Sequence, residues 1–478
     1  MNMDTGNNYR LVSALFLRLL GVIYLIAFYS IATQILGLAG SQGILPFAQK
    51  LASVQAPGIS DYFRLPTLFW LNSSDLALSG AAWSGCAAAV LIILGRWQRV
   101  ALVVAYVLYL SIYHACQPFM NFQWDGLLLE SGFLAIFLTP RSRVLVLLFR
   151  WLLFRLRFMS GLSKLTSGDP TWSGLTALNY YFQVQPLPTP LAWYANQLPE
   201  WLLKTGTAGT LFVELVVPFM MFLPRRWRFA AAWVTILWQV LIILTSNHNW
   251  INFLTIALCL FLFDDQALEK KTPSWLKAKL ATEPGPARSP PAAIRVATGA
   301  LAATILLASA GHFWELVKMQ PVTGPMGKVL DYAEAYRVVS SYHVFPTMKT
   351  QRIELELVGS IDGKDWRRYE FKYKPGDLTR RPPVVIPFQP RLDWQMWFVT
   401  LGPVHLPWFY EFLQALLSNS PPVTALLKNN PFPDQAPRYI RVYAYRYEFT
   451  DAEERARTGQ WWKRQSLGSF SPLPWVAR

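Results

Sequence analysis

The sequence predicts an α-helical bundle that crosses a membrane about nine times, followed by a soluble antiparallel β-sandwich-like domain. Three observations carry that prediction. Of the 478 residues, 53% are apolar and only 15% are charged, against about 25% charged in an average soluble chain, and the mean hydropathy is +0.25. The charge is unevenly spread. Residues 1–313 hold 22 Lys/Arg and 12 Asp/Glu, while residues 314–478 hold 22 and 16, so the first two-thirds consists of charge-poor runs broken by small basic clusters. Beyond about residue 320 the apolar pattern changes to period two, the repeat of a half-buried strand. These shifts divide the chain into a transmembrane domain over 1–313 and a β-rich domain over 314–478.

Apolar runs lie near 11–36, 77–94, 100–116, 124–140, 144–160, 207–223, 229–246, 250–263 and 294–313. A span needs roughly 17–25 residues, which leaves the 250–263 run short. The first run follows Arg10 but exceeds the usual apolar core of a signal peptide, and further spans follow it. Small residues at Gly80, Ser84 and Ala88, and at Ala297, Gly299, Ala300 and Ala303, form stripes expected to pack helix on helix. The long connection over 161–206 is rich in Trp, Tyr and Pro. The linker over 264–293 is rich in Pro, Lys and small residues.

Basic residues set the orientation. Alternate connections carry Arg10; Arg96 and Arg99; Arg141 and Arg143; Arg225, Arg226 and Arg228; and Lys270, Lys271, Lys277, Lys279, Arg288 and Arg295, which makes 14. The opposite connections carry 4: Lys50, Arg64, Lys164 and Lys204. Cations are retained on the cytoplasmic side, so the N-terminus is expected there. Nine spans then put the C-terminal domain in the lumen or periplasm.

In that domain Gln351 to Ser360 alternates polar and apolar, Asp362-Gly363 supplies a turn, and Trp366 to Lys374 alternates again. Tyr439 to Phe449 has the same rhythm, and helices are expected around Trp408 to Leu417 and Ala452 to Thr458. Trp366, Trp394 and Trp397 are expected to be buried in the sandwich, because large aromatics on alternating strands face the core.

Several function classes find no support. The net charge of +16 sits in short loops between apolar runs, without the aromatic-interleaved basic patches of a nucleic-acid binder. Cys86, Cys116 and Cys259 form no CxxC and read as small buried hydrophobes. His114 and His248 close two spans, yet no HxxxH or HExxH occurs among the five histidines. No GxSxG, phosphate loop or dinucleotide fingerprint is present. No metal, cofactor or catalytic residue is expected.

Charge inside a membrane is costly and needs a partner. The candidate intramembrane cluster comprises Asp125, Glu130, Arg150, Arg155, Arg157, Lys164 and Glu214. Arg150 and Arg157 are seven apart and share a helical stripe. Asp125, Glu130 and Glu214 are their candidate counter-charges. One reading is a structural ion-pair network; the other is a polar pocket that receives a headgroup or substrate.

Three stretches depart from ordinary membrane composition: FQWDGLLLESGFLAIFL over Phe122 to Leu138; RLRFMSGLSKLTSGDPTWSGLTALNYYFQVQPLPTPLAWY over Arg155 to Tyr194, with ELVVPF from Glu214; and YKPGDLTRRPPVVIPFQPRLDWQMW over Tyr373 to Trp397. Together they resemble the lipase maturation factor family over nearly the whole chain. Where the family tends to read G-N-Y-x-F-F-N, this chain has Asn247-His248-Asn249-Trp250-Ile251-Asn252.

The resemblance implies a non-enzymatic membrane folding factor for exported lipases or related hydrolases. It would sit in the endoplasmic reticulum membrane if eukaryotic and in the inner membrane if bacterial. Its implied partners are membrane lipids and an exported client protein. Asp169, Trp172, Asp393, Trp394 and Trp397 are the candidate client-facing residues. The alternative is an integral-membrane enzyme acting on a lipid-soluble substrate, since the family looks distantly similar to the membrane region of vitamin K-dependent carboxylases. A transporter is a third class, for which no inverted repeat is evident.

Overall fold

The computed structural model describes residues 9–54, 57–139, 142–269, 272, 274, 292–471 and 474–476. The N-terminal region is helical, and its main helices are α1 (Arg10–Ala32), α2 (Asp75–Leu94), α3 (Gln98–Ala115), α4 (Gln123–Phe137) and α5 (Arg143–Thr166). Three short helices follow, α6 (Pro170–Ser173), α7 (Ala177–Val184) and α8 (Pro190–Asn196). Then come α9 (Glu200–Leu215), α10 (Arg225–Thr245), α11 (Ile251–Leu258), α12 (Ala292–Lys318) and α13 (Gly324–Ala335). Ser74 and Ser142 cap α2 and α5 with their hydroxyls, the usual way to satisfy orphan N–H groups at a helix start. Asp265 does the same from a distance, accepting the amides of Leu11 and Val12 at 3.1 and 3.0 Å.

Each of the nine apolar runs forms helix, but among the described residues only five helices are long and apolar enough to cross a membrane: α1, α2, α3, α10 and the 295–318 part of α12. The other four fall short for separate reasons. Helix α4 has 15 residues, and the α11 run is continued only by a 3₁₀ turn to Leu262. Helix α5 carries Arg143, Arg150, Arg155, Arg157 and Lys164. Helix α9 holds Glu200, Lys204 and Glu214 and breaks before Pro218, whose missing N–H cannot continue the ladder.

The packing faces correct the small-residue stripes. Gly80 and Ser84 are exposed while Ala88 is buried, and it packs with Leu78, Ala82, Gly85, Cys86, Ala89 and Ile92 on the buried face of α2. In α12 the exposed face includes Ala297, Gly299, Ala300 and Ala303, while Ile305, Ala308 and Ser309 are buried. A helix rich in Gly and Ala offers several such stripes, and only the neighbouring helix selects one.

The C-terminal region contains one antiparallel sheet of β1 (Arg352–Ser360), β2 (Arg367–Tyr369), β3 (Tyr439–Phe449), β4 (Trp462–Ser469) and β5 (Trp475–Val476). Its order is β2-β1-β3-β4, with β5 also on β3. Strands β1 and β3 pair from Arg352↔Tyr447 to Ser360↔Tyr439. Helices α14 (Arg391–Met396), α15 (Leu406–Leu417) and α16 (Ala452–Thr458) complete the region. No second sheet appears among the described residues. A face of the first is covered by helical side chains such as Phe412, Leu413 and Leu416, which join β1 and β3 residues in one core.

Two strand expectations change. Strand β2 ends at Tyr369 because the next backbone groups are taken elsewhere: Glu370 O accepts the Lys428 amide at 2.8 Å, and Asp393 accepts the amides of Tyr373 and Lys374. Trp394 lies on a helix and Trp397 begins a 3₁₀ turn, not a strand. Trp394 is buried, whereas Trp366 and Trp397 are half-buried.

The boundaries of the long connection also move. Helix α5 continues to Thr166 and α9 begins at Glu200, so the connection proper covers 167–199 rather than 161–206. Of the 264–293 linker, residues 270–291 lie outside the described residues except for 272 and 274. Most buried apolar residues of the helices and several of the sheet belong to one continuous cluster, while Phe182, Trp193, Tyr447, Phe449 and Trp462 form a second one.

Candidate functional site

The charges expected inside the membrane do not form one cluster. Lys164 reaches Glu214 at 2.8 Å and Arg157 reaches it at 3.4 Å, tying α5 to α9. Gly161 allows that approach, since a Cβ there would stand 2.8 Å from the Cβ of Glu214. Arg155 pairs with Glu130 of α4 and donates to Ser340 O at 3.0 Å. Glu130 also accepts from the Ser340 amide and the Tyr342 hydroxyl. Among the described residues Arg150 pairs with no carboxylate; it donates to Phe261 O and Tyr9 Oη at 2.8 and 2.7 Å. Arg150 and Arg157 share a stripe, but two turns separate them by about 10 Å, and they serve different helices.

Asp125 pairs with a residue that sequence reasoning missed. Arg391 of α14 grips it with two hydrogen bonds of 2.7 Å, and both side chains are fully buried. Tyr109 adds a 2.6 Å bond to the same carboxylate. The only sequence signal for Arg391 was its place in the RLDW stretch. Bidentate geometry gives this pair both strength and orientation.

Such ties recur wherever the C-terminal region meets the helices. Asn247 accepts the amides of Val385 and Ile386 and donates to Pro383 O at 2.9 Å. Asn249, in a left-handed conformation at φ 46°, donates to Gln389 Oε1 at 2.8 Å. Ser30 and Gln34 at the end of α1 hold the backbone of Gln389 and Arg391. The Asn247–Asn252 segment, where the chain departs from the family's usual wording, is thus a clamp.

The 167–199 connection lies under the C-terminal region. Arg352 of β1, buried and paired with Glu354, donates to the carbonyls of Gln183, Gln185 and Pro186. Trp397 Nε1 donates to Val184 O at 2.7 Å. Asp169 caps α6 through Thr171 and accepts the Met348 amide at 2.7 Å. Partial burial pushes its pKa up, but the Thr171 and Met348 hydrogen bonds outweigh that and hold it below the usual value. Trp172 packs beneath Met348 and lies 5.0 Å from the Lys164 ammonium.

Of the five residues expected to face a client, Asp169 is half-exposed, Trp397 is half-buried, and Trp172, Asp393 and Trp394 are buried. Asp393 is committed to two backbone amides, and burial raises its pKa. Trp172, Trp394 and Trp397 line a cavity of about 990 Å³ between the connection, the helices and the C-terminal region. Arg157, Lys164 and Glu214 line it as well. His248 also faces this space, and burial lowers its pKa to about 4, so it is neutral there. Among the described residues no group of three or more His, Cys, Asp or Glu could hold a metal ion.

Comparison with known proteins places these features in a family. A family model described as the lipase maturation factor transmembrane domain matches residues 11–270, and one described as the lipase maturation factor C-terminal domain matches residues 338–472. The chain is 34% identical to lipase maturation factor 2 of Homo sapiens over 595 aligned residues, which cover 97% of this chain and 82% of that protein. It is 35% identical to lipase maturation factor 2 of Gallus gallus over 575 residues, covering 96% and 80%. Identity to lipase maturation factor 1 of Bos taurus is 34% over 495 residues, covering 95% and 87%. No solved structure matches the chain.

Proposed function

This chain belongs to the lipase maturation factor family, and on that premise we propose that it is a non-enzymatic, membrane-embedded factor that helps an exported lipase or related hydrolase reach its active fold. The observation that carries the reading is the docking of the 167–199 connection and the clamp at Asn247 and Asn249 onto the C-terminal region. That docking makes a rigid, aromatic-rich platform on one side of the bundle. Asp125, Glu130, Arg150, Arg155, Arg157, Lys164 and Glu214 hold the bundle beneath it, each with a partner inside the protein. Asp169, Trp172, Trp394 and Trp397 shape the junction where a client is received. Asp393 acts from behind, fixing the turn before α14.

In this reading all nine helices cross the membrane, the N-terminus is cytoplasmic, and the platform faces the lumen or periplasm. Support comes from the basic residues, 14 against 4, and from the alternation of contacts. The ends near Gln34, Phe119, Ser167 and Asn247 meet the C-terminal region. Arg225 and Arg228 both pair with Asp264 elsewhere. The soluble domain is taken to begin near residue 314. Each buried charge of α5 has a partner on a neighbouring element, which lowers the cost of that helix crossing the bilayer.

The test is to replace Asp169 and Trp172 separately by Ala and to measure membrane abundance and client activity together. A fall in client activity at normal abundance is expected. If activity falls only in step with abundance, the connection is scaffold and the reading fails.

A further inference from the structure

The 990 Å³ cavity lies at the upper end of volumes that hold small ligands. Its wall is largely apolar, and most of its unpartnered polar atoms are donors, the exceptions being Gln123 Oε1 and the Glu214 Oε2 that faces Lys164. Arg157 Nε, Gln239 Nε2, His248 Nε2, Asn252 Nδ2 and the indole nitrogens of Trp172 and Trp394 have no hydrogen-bond partner. All six residues line the cavity, and each is more than nine-tenths buried. Five of these are donors, and the neutral His248 ring offers one N–H; buried donors are nearly always satisfied in native proteins, and five around one space call for an acceptor from outside the chain. Charge points the same way. Arg157 and Lys164 share the single carboxylate of Glu214, with Lys164 the nearer at 2.8 Å, so the floor carries one surplus positive charge.

The mouth identifies the medium from which an occupant comes. Leu198, Leu202, Leu241 and Leu244 line the cavity and are also 37–46% exposed on the surface. Leu241 and Leu244 belong to α10, one of the helices apolar enough to cross a membrane. The leucine rim beside α10 gives a hydrocarbon chain a way in, and the exposed lining residues Asn121, Thr205, Thr347 and Lys349 give the cavity a polar margin as well.

We propose that this cavity binds a membrane amphiphile with one or two acyl chains and an anionic, acceptor-only headgroup, a carboxylate or a phosphate diester. The chains lie along the leucine-lined wall, and the headgroup accepts from Arg157, Gln239 and Asn252. This inference is independent of the client reading: a chain that binds the amphiphile without aiding a lipase would sink one and leave the other.

The experiment uses the full chain in phosphatidylcholine nanodiscs, titrated with pyrene-labelled dodecanoate, pyrene-labelled phosphatidylglycerol and an uncharged pyrene-labelled diacylglycerol. Energy transfer from tryptophan to pyrene reports binding. At least one anionic probe is expected to saturate at about one per chain, at least tenfold more tightly than the diacylglycerol. Saturation by dodecanoate alone assigns a free fatty acid, and by phosphatidylglycerol alone a phospholipid; either upholds the class. Gln239→Leu and Asn252→Leu keep side-chain volume, touch no ion pair and should each weaken binding about tenfold without changing the melting temperature. Should either fail to fold, Leu202→Trp at the exposed mouth should block binding in a folded protein. Absence of saturation with both anionic probes, equal binding of the uncharged probe, or unchanged binding in the folded variants would overturn the proposal.

Discussion

Replacing Arg391 by Met strands the Asp125 carboxylate in a site with no access to water. Both partners are 0% exposed, joined by two 2.7 Å hydrogen bonds, and only Tyr109 remains to satisfy Asp125. Removing one member of a buried pair costs about 3–5 kcal/mol, because the other charge is left uncompensated. At roughly 2 °C of melting temperature per kcal/mol for large domains, that is a fall of about 6–10 °C. Asp125→Leu alone should cost as much, by stranding the guanidinium. The double variant removes both charges, and an apolar pair of similar volume is often neutral, so most of the loss should be recovered. The assay is thermal unfolding of purified full-length protein in detergent for the four members of this cycle. Two single variants that melt like the parent, or a double variant whose loss equals the sum, would refute the view that this pair joins the bundle to the C-terminal region.

Other perturbations follow from local geometry. A Cβ at Gly85 would lie 2.2 Å from the Phe28 ring, whereas one at Gly80 meets nothing within 4 Å; Gly85→Ala should destabilise by about 1–3 kcal/mol, while Gly80→Ala should stabilise by up to about 1 kcal/mol. Trp397→Phe deletes the bond to Val184 O and should cost about 1 kcal/mol, read by the same melt. Because the folded-state pKa of Asp169 is depressed, its contribution is present above the ordinary carboxylate value near 4 and is lost as pH falls through the lower folded value. The protection factor of the Met348 amide, its intrinsic exchange rate divided by the observed one, should therefore fall as pH drops through that range, and Asp169→Asn should show that loss of protection already at neutral pH.

The helical character of the first two-thirds was legible because apolar runs and basic connections are local signals. The strands β1 and β3 were legible for the same reason, since one buried face imposes period two. What escaped was set by distant partners. RLDWQMW looks like a strand at Leu392, Trp394 and Met396, yet all six residues of α14 are buried, so no face pattern remains to mark it as helix. Strand β4 is exposed at every position after Trp462, and an edge with no buried face has no alternation to read. Asp125 was sought a partner within the bundle, but its arginine lies 266 positions away. The chain departs from the family's usual wording at Asn247 and Asn249, and the amide side chains there form the clamp on the C-terminal region.

The central claim, that this chain brings an exported lipase or hydrolase to its active fold without doing chemistry itself, is tested most directly by the specific activity of a secreted lipase. Enzyme activity and enzyme mass should be measured separately in cells with and without this chain. The account predicts that removal lowers activity per mass of exported lipase, that full-length chain restores it, and that the Asp169→Ala chain does not. Unchanged specific activity across exported lipases and related hydrolases on removal of the chain would contradict it.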